Sequence, residues 1–108
     1  MQVRAKLVVQ DGPLAGKEVV LDRLGSYTIG RGRHSDLAIE DKAISREHCR
    51  LDYDGEFYWL VDKSSHNGTI VNGRPISKCM LFNGDAITVG HTRLTVSLPQ
   101  EKPEEQTA

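Results

Sequence analysis

Three short segments of the chain carry side chains that could grip a multiply charged anion. Arg31 follows Thr28-Ile29-Gly30, Ser45-Arg46 precedes Glu47-His48, and Ser65-His66-Asn67 precedes Gly68-Thr69. A phosphomonoester carries about −1.5 to −2 charges near pH 7 and three acceptor oxygens. A guanidinium, hydroxyl donors and N–H groups converging on one point hold such a group well. Those are the donor types these segments supply. Each also stands in a polar stretch between apolar ones, where a rigid scaffold would display it on a loop. Alone, Arg31 would be an ordinary solvated turn arginine. Its combination with Ser45 and Asn67 is what raises a phosphate-reading site.

Other chemistries fit these residues less well. Ser45 and His48 have the types of a nucleophile and its base, but no third orienting group or oxyanion signature accompanies them, so catalysis is not expected. His34, His48, His66 and His91, with Cys49 and Cys79, share no ligand spacing, which argues against a metal centre. The two cysteines lie outside any Cys-x-x-Cys pattern, and free buried thiols are the expected state. Gly12 to Glu18 is one residue short of a phosphate-binding P-loop and puts Glu18 where a metal-holding hydroxyl would stand; it reads as a hairpin connection. Gly30-Arg31-Gly32 lacks the third glycine and the following helix of a dinucleotide loop. No cofactor is expected.

The bulk properties narrow the field further. A chain of 108 residues suits one domain with a single core. Hydrophobic and charged fractions of 38% and 27% are those of a soluble globular protein. Met1 to Arg4 are followed by no apolar leader and no stretch could span a bilayer, so a cytoplasmic location without a membrane partner is expected. The formal net charge is −1; without residues 99–108, which hold one lysine and three glutamates, 13 basic side chains face 12 acidic ones. No broad basic field exists to attract nucleic acid. An anion would have to be bound by local geometry.

Strands must position these loops. Apolar or β-branched runs occur at Ala5–Gln10, Glu18–Leu21, Tyr27–Gly30, Leu37–Ile39, His48–Tyr53, Glu56–Asp62, Thr69–Val71, Arg74–Ile76, Ala86–Val89 and Thr92–Leu98. Turn signals separate them at Asp11-Gly12-Pro13, Asp54-Gly55, Asn72-Gly73, Asn83-Gly84-Asp85 and Gly90-His91. Asp54-Gly55 reads as a tight hairpin. Phe57, Trp59 and Val61 alternate with Tyr58 and Leu60, which predicts a central strand apolar on both faces, with Phe57 and Trp59 in the core. Thr92, Leu94, Val96 and Leu98 share one face. No window sustains a helical period, and the pattern is that of an all-β sandwich. Residues 1–98 form the expected domain. Residues 99–108, rich in Pro and Glu, read as a disordered acidic tail or linker.

The order Gly30-Arg31, Ser45-Arg46-x-His48, Asp62-x-x-Ser65-x-Asn67-Gly68-Thr69, Val71-Asn72-Gly73 and Gly84-Asp85-x-Ile87-x-x-Gly90 resembles the forkhead-associated (FHA) domain over roughly residues 5 to 98. The resemblance implies a sandwich of about eleven mainly antiparallel strands whose loops at one end bind phosphothreonine peptides without catalysis. It implies that Arg31 pairs with the phosphate, Ser45 donates its hydroxyl, Arg46 adds a contact and Asn67 binds the peptide main chain. His48 would brace the loops from inside. Gly30, Ser65, Gly68, Thr69, Asn72 and Gly73 would give structural support. His66 stands where the family commonly has Thr, and joins the expected peptide-binding set. Protonation of an imidazole there would add charge beside the phosphate, so binding is expected to tighten as pH falls from about 7.5 to 6 while the phosphate stays ionised. Arg33, His34 and Lys63 read as rim charges. The partner would be a phosphothreonine-containing protein or peptide, or a phosphorylated segment flanking the domain itself, written by an upstream Ser/Thr kinase. The competing reading is a phosphate-independent scaffold or dimerisation module using a sandwich face or edge.

Overall fold

A computed structural model of the chain describes residues 5–103. The expectations for Met1 to Arg4 and for residues 104–108 of the tail lie outside the described residues. Eleven strands run in chain order: β1 (Lys6–Val9), β2 (Glu18–Val20), β3 (Gly25–Gly30), β4 (Leu37–Ala38), β5 (Cys49–Tyr53), β6 (Tyr58–Asp62), β7 (Thr69–Val71), β8 (Arg74–Ile76), β9 (Lys78–Leu81), β10 (Ala86–Val89) and β11 (Thr92–Ser97). They form two sheets, β2-β1-β11-β10-β7-β8 and β4-β3-β5-β6-β9. Every ladder is antiparallel except β3 with β4. The all-β sandwich expected from the strand and turn pattern is the fold observed.

The period-2 pattern of the strands builds the core. Leu7, Val9, Leu94, Val96, Ile87 and Val89 point inward from the larger sheet, and Tyr27, Ile29, Leu51, Tyr58, Leu60 and Leu81 from the smaller. Ile44, on the loop between β4 and β5, is 1% exposed. Its burial contributes about 2 kcal/mol and anchors that loop in the core.

Several sequence expectations change. Phe57 and Trp59 are only half-buried. With two layers in the sandwich, one face of β6 packs inward and the other, bearing Trp59, meets water. Trp59 donates to Asp54 Oδ2 at 3.1 Å and lies under the Lys78 ammonium, 5.1 Å from its ring centroid. The expected Asp54-Gly55 hairpin is a four-residue loop, since Tyr53 pairs with Tyr58 and the Asp54 carboxylate accepts the Glu56 and Phe57 N–H groups. Strand β9 has no β-branched residue to announce it; it exists because β6 needs a second neighbour. Cys49 is buried but Cys79 only half so, and both are free. Burial, and secondarily the charge of Asp62, push the Cys49 thiol up to about 12. Pro99 to Glu101 stay attached to the body: Asn83 N–H donates to the Gln100 carbonyl at 2.7 Å and Asn83 Nδ2 to Glu101 at 3.1 Å.

Candidate functional site

The ends of β3, β6 and β10 and the starts of β5 and β7 lie level, because Ile29 pairs with Cys49, Cys49 with Asp62, and Val89 with Thr69. The loops at this apical end are 31–36, 39–48 and 63–68. Arg31, Ser45, Arg46, His66 and Asn67 all belong to them.

Gly30 opens the site by what it lacks. A Cβ there would lie 2.2 Å from the Arg46 carbonyl oxygen, so only glycine lets the two loops approach. The approach is fixed by Arg31 N–H donating to the Ser45 carbonyl at 3.0 Å and Gly32 N–H to the Arg46 carbonyl at 3.1 Å. Arg31 Nε donates to the Ile44 carbonyl at 3.2 Å, which aims the exposed guanidinium. On the return to β4, Asp36 Oδ2 accepts Thr28 N–H at 2.8 Å and so takes the place of a missing strand partner.

His48 is fully buried and ties two loops together. Its Nδ1 accepts the Ser45 N–H at 3.0 Å and its Nε2 meets the Gly68 carbonyl at 2.8 Å. A backbone N–H can only donate and a carbonyl only accept. The neutral Nε2–H tautomer is therefore the one that satisfies both.

The third loop is organised by Asp62. Its carboxylate accepts the Ser65 hydroxyl at 2.5 Å, the Thr69 hydroxyl at 2.7 Å and the Ser65 N–H at 3.1 Å. Burial pushes this carboxyl up, but the hydrogen bonds outweigh burial and hold it below its ordinary range. Ser65 Oγ in turn accepts the Gly68 N–H at 3.0 Å. Ser45 Oγ accepts the His66 N–H at 2.9 Å, which leaves its own hydrogen free to donate outward. Asn67 Nδ2 donates to the Ala43 carbonyl at 2.7 Å, so its amide spans the second and third loops.

Gly30, His48, Ser65, Gly68 and Thr69 thus support the apical loops. Asn72 and Gly73 do not. They sit at the other end of β7 with φ of 51° and 83°, forming the β7–β8 hairpin, and Asn72 braces Asp85 and Ala86. Sequence reasoning gave Asp41 no role and read Gly90 only as a turn residue of the family pattern. An aspartate followed two residues later by a bonded N–H is an Asx-turn signal, but its distant partners are invisible in sequence.

Arg31, Arg33 and Arg46 share a hollow of about 520 Å³ with Thr28, Gly32, His34, Ser35 and Glu47. Three guanidiniums against one carboxylate gather positive charge here on a chain of formal net charge −1. Half-buried Ser45 and exposed His66 and Asn67 are not among the residues that line it. Among the described residues, no group of three or more His, Cys, Asp or Glu could hold a metal, and no helix is long and apolar enough to cross a membrane.

The family model of the FHA domain matches residues 27–90, from the strand before Arg31 through the turn after β10. An oxoglutarate dehydrogenase inhibitor of Corynebacterium jeikeium (strain K411) is 42% identical over 92 residues, 83% of this chain and 62% of that protein. The glycogen accumulation regulator GarA of Mycolicibacterium smegmatis is 40% identical over 92 residues, 83% of this chain and 56% of that protein. The chain thus spans only somewhat more than half the length of these relatives. A solved structure from a study of phosphothreonine-dependent FHA domain interactions is 35% identical with a TM-score of 0.82, covering 89% of this chain and 97% of its own. With the sandwich, the three apical loops and the matched segment in agreement, the chain belongs to the FHA domain family.

Proposed function

We propose that this domain is a non-catalytic reader of phosphothreonine peptides. The observation that carries it is the Ser45 hydroxyl, held by the His66 N–H with its hydrogen free, beside an Arg31 guanidinium already aimed by the Ile44 carbonyl. In this reading Arg31 and Arg46 neutralise the phosphate, Ser45 donates to it, and Asn67 engages the peptide main chain. His66 lies at the rim of the phosphate and gives it a further donor. Threonine would be preferred over serine through a methyl contact, worth about 1 kcal/mol or less by area.

In this reading residues 1–98 act as the reader and residues 99–108 are an acidic tail or linker. The module works in the cytoplasm downstream of a Ser/Thr kinase, with a phosphorylated partner or a phosphorylated flanking segment as ligand. An oriented phosphothreonine peptide library identifies the preferred sequence, which is then titrated as Thr, phospho-Thr and phospho-Ser. Binding of the phospho-Thr form alone, or well ahead of phospho-Ser, supports the reader. Equal affinity for all three refutes it. A phosphate-independent scaffold would keep its partner when Arg31 is changed to Ala; the reader loses it.

A further inference from the structure

The loop 39–48 holds two other loops by its carbonyls. Ala43 C=O accepts Asn67 Nδ2, Ile44 C=O accepts Arg31 Nε, and Ser45 C=O accepts Arg31 N–H. The position of these three carbonyls therefore decides where the Arg31 and Asn67 donors point. Besides the His48 bond to the Ser45 N–H, contacts on two sides place them. Below, Ile44 is buried in the core. Above, Asp41 clamps the segment to the β10–β11 turn, fifty residues away in sequence. Its Oδ1 accepts the Ala43 N–H at 2.9 Å; its Oδ2 accepts the His91 N–H at 2.7 Å and the Thr92 hydroxyl at 3.2 Å. The exposed His91 ring adds a 3.3 Å contact that matters less, because a solvated pair contributes little.

Gly90 completes the clamp. A Cβ there would lie 2.7 Å from Ile44 Cγ1 and 2.9 Å from Asp41 Oδ2, and its φ of +56° is left-handed. The turn can press against the loop only because residue 90 has no side chain.

Resting on the phosphopeptide-reader reading, we infer that Asp41 is a positioning residue for phosphopeptide binding, acting through the carbonyls of Ala43, Ile44 and Ser45 on Asn67 and Arg31. Its two oxygens are engaged by protein donors, the Ala43 and His91 N–H groups and the Thr92 hydroxyl. Its carboxylate preorganises donors that would otherwise have to be ordered on binding, at a loss of affinity. Burial raises the Asp41 carboxyl, and the bonds from Ala43, His91 and Thr92 more than reverse this, in keeping with a carboxylate held ionised at its post.

The test compares the parent with Asp41→Ala, Thr92→Val and Asn72→Ala. The last is changed at the opposite end of the sandwich. Each is titrated with the library-selected phosphothreonine peptide below its melting temperature, and amide hydrogen exchange is followed in the free proteins. Asp41→Ala, which loses the Ala43, His91 and Thr92 bonds, should bind about tenfold more weakly, with faster exchange at Ser45 and His66. Asn72→Ala should lower Tm and leave both readouts at parent values. A merely structural Asp41 would behave like Asn72: binding within about twofold of the parent overturns the inference. Should Asp41→Ala fail to fold, Thr92→Val removes a single bond, and parent-level binding and exchange in it overturn the inference. A parent that binds no phosphothreonine peptide sinks the reader instead. The exchange arm then still decides the clamp, and unchanged exchange at Ser45 and His66 refutes it.

Discussion

The two ends of the sandwich use the same turn chemistry and do opposite things with it. At the base, Asp54, Asn72, Asn83 and Asp85 close on neighbours: Asp54 on the Glu56 and Phe57 amides and Trp59, Asn72 on Asp85 and Ala86, Asn83 on Leu98 and Gln100. Donor meets acceptor, and the result is stability. At the apex, Asp41, Asp62 and His48 fasten the loops just as firmly, yet they fasten them so that other donors stay open. Arg31 uses Nε on the Ile44 carbonyl, Ser45 uses its oxygen on His66, and the Arg46 side chain has no protein acceptor among the described residues. A rigid surround of free donors is what anion binding needs, and it adds less to stability than closed pairs would.

Mutations at the two ends should separate these roles, and the largest effect belongs to Arg31. Changing Arg31 to Ala should weaken phosphothreonine peptide binding about a hundredfold, near 3 kcal/mol for a lost charge-assisted pair, with Tm nearly unchanged; isothermal titration and thermal melts read the two sides. A similar fall in Tm would break the contrast. His48→Ala should act on both at once, since it strands the Ser45 N–H and the Gly68 carbonyl in the interior: about 2–3 kcal/mol of stability lost by denaturant unfolding, and weaker peptide binding with it. Asn72→Ala removes two side-chain hydrogen bonds and puts Ala at a left-handed φ, which should lower stability by about 2 kcal/mol while peptide affinity stays at the parent value.

Acid offers the mildest test. Asp62 and Asp41 titrate below their ordinary range in the folded protein, so each contributes stability that is full above the unfolded carboxyl pKa of about 4. That contribution is lost as pH falls through the depressed folded values. Tm should therefore hold down to about pH 5 and drop below about 4, and Asp62→Asn should flatten that drop. An unchanged acid limb in Asp62→Asn would place the acid sensitivity elsewhere, with the base carboxylate Asp54, also held low by the Phe57 and Glu56 amides, as the next to examine.

Much of the molecule was legible before its fold was known. Alternating apolar residues from Thr92 to Leu98 and the Asn72-Gly73 pair specify a strand and a type of hairpin by chemistry within a few residues. The same holds for the loop residues Arg31, Ser45, Arg46, His66 and Asn67, whose polarity and placement between strands put them on display. Ser65 and Thr69, expected from the resemblance as loop supports, both donate to Asp62, whose part as their shared acceptor was not read from the sequence.

The rest required distances that no local pattern encodes. That Trp59 faces water depends on the count of layers, and that Lys78–Leu81 is a strand depends on β6 having an open side. That Asn72 belongs to the base depends on the direction of β7. Asp41 reaching His91, and Gly90 making room for Ile44, join segments far apart in sequence through the stacking of two sheets. Side-chain types and turn chemistry act over a few residues and could be read directly. Which loops meet, and which donors are left free when they do, is set by the packing of the whole core and was decided only there.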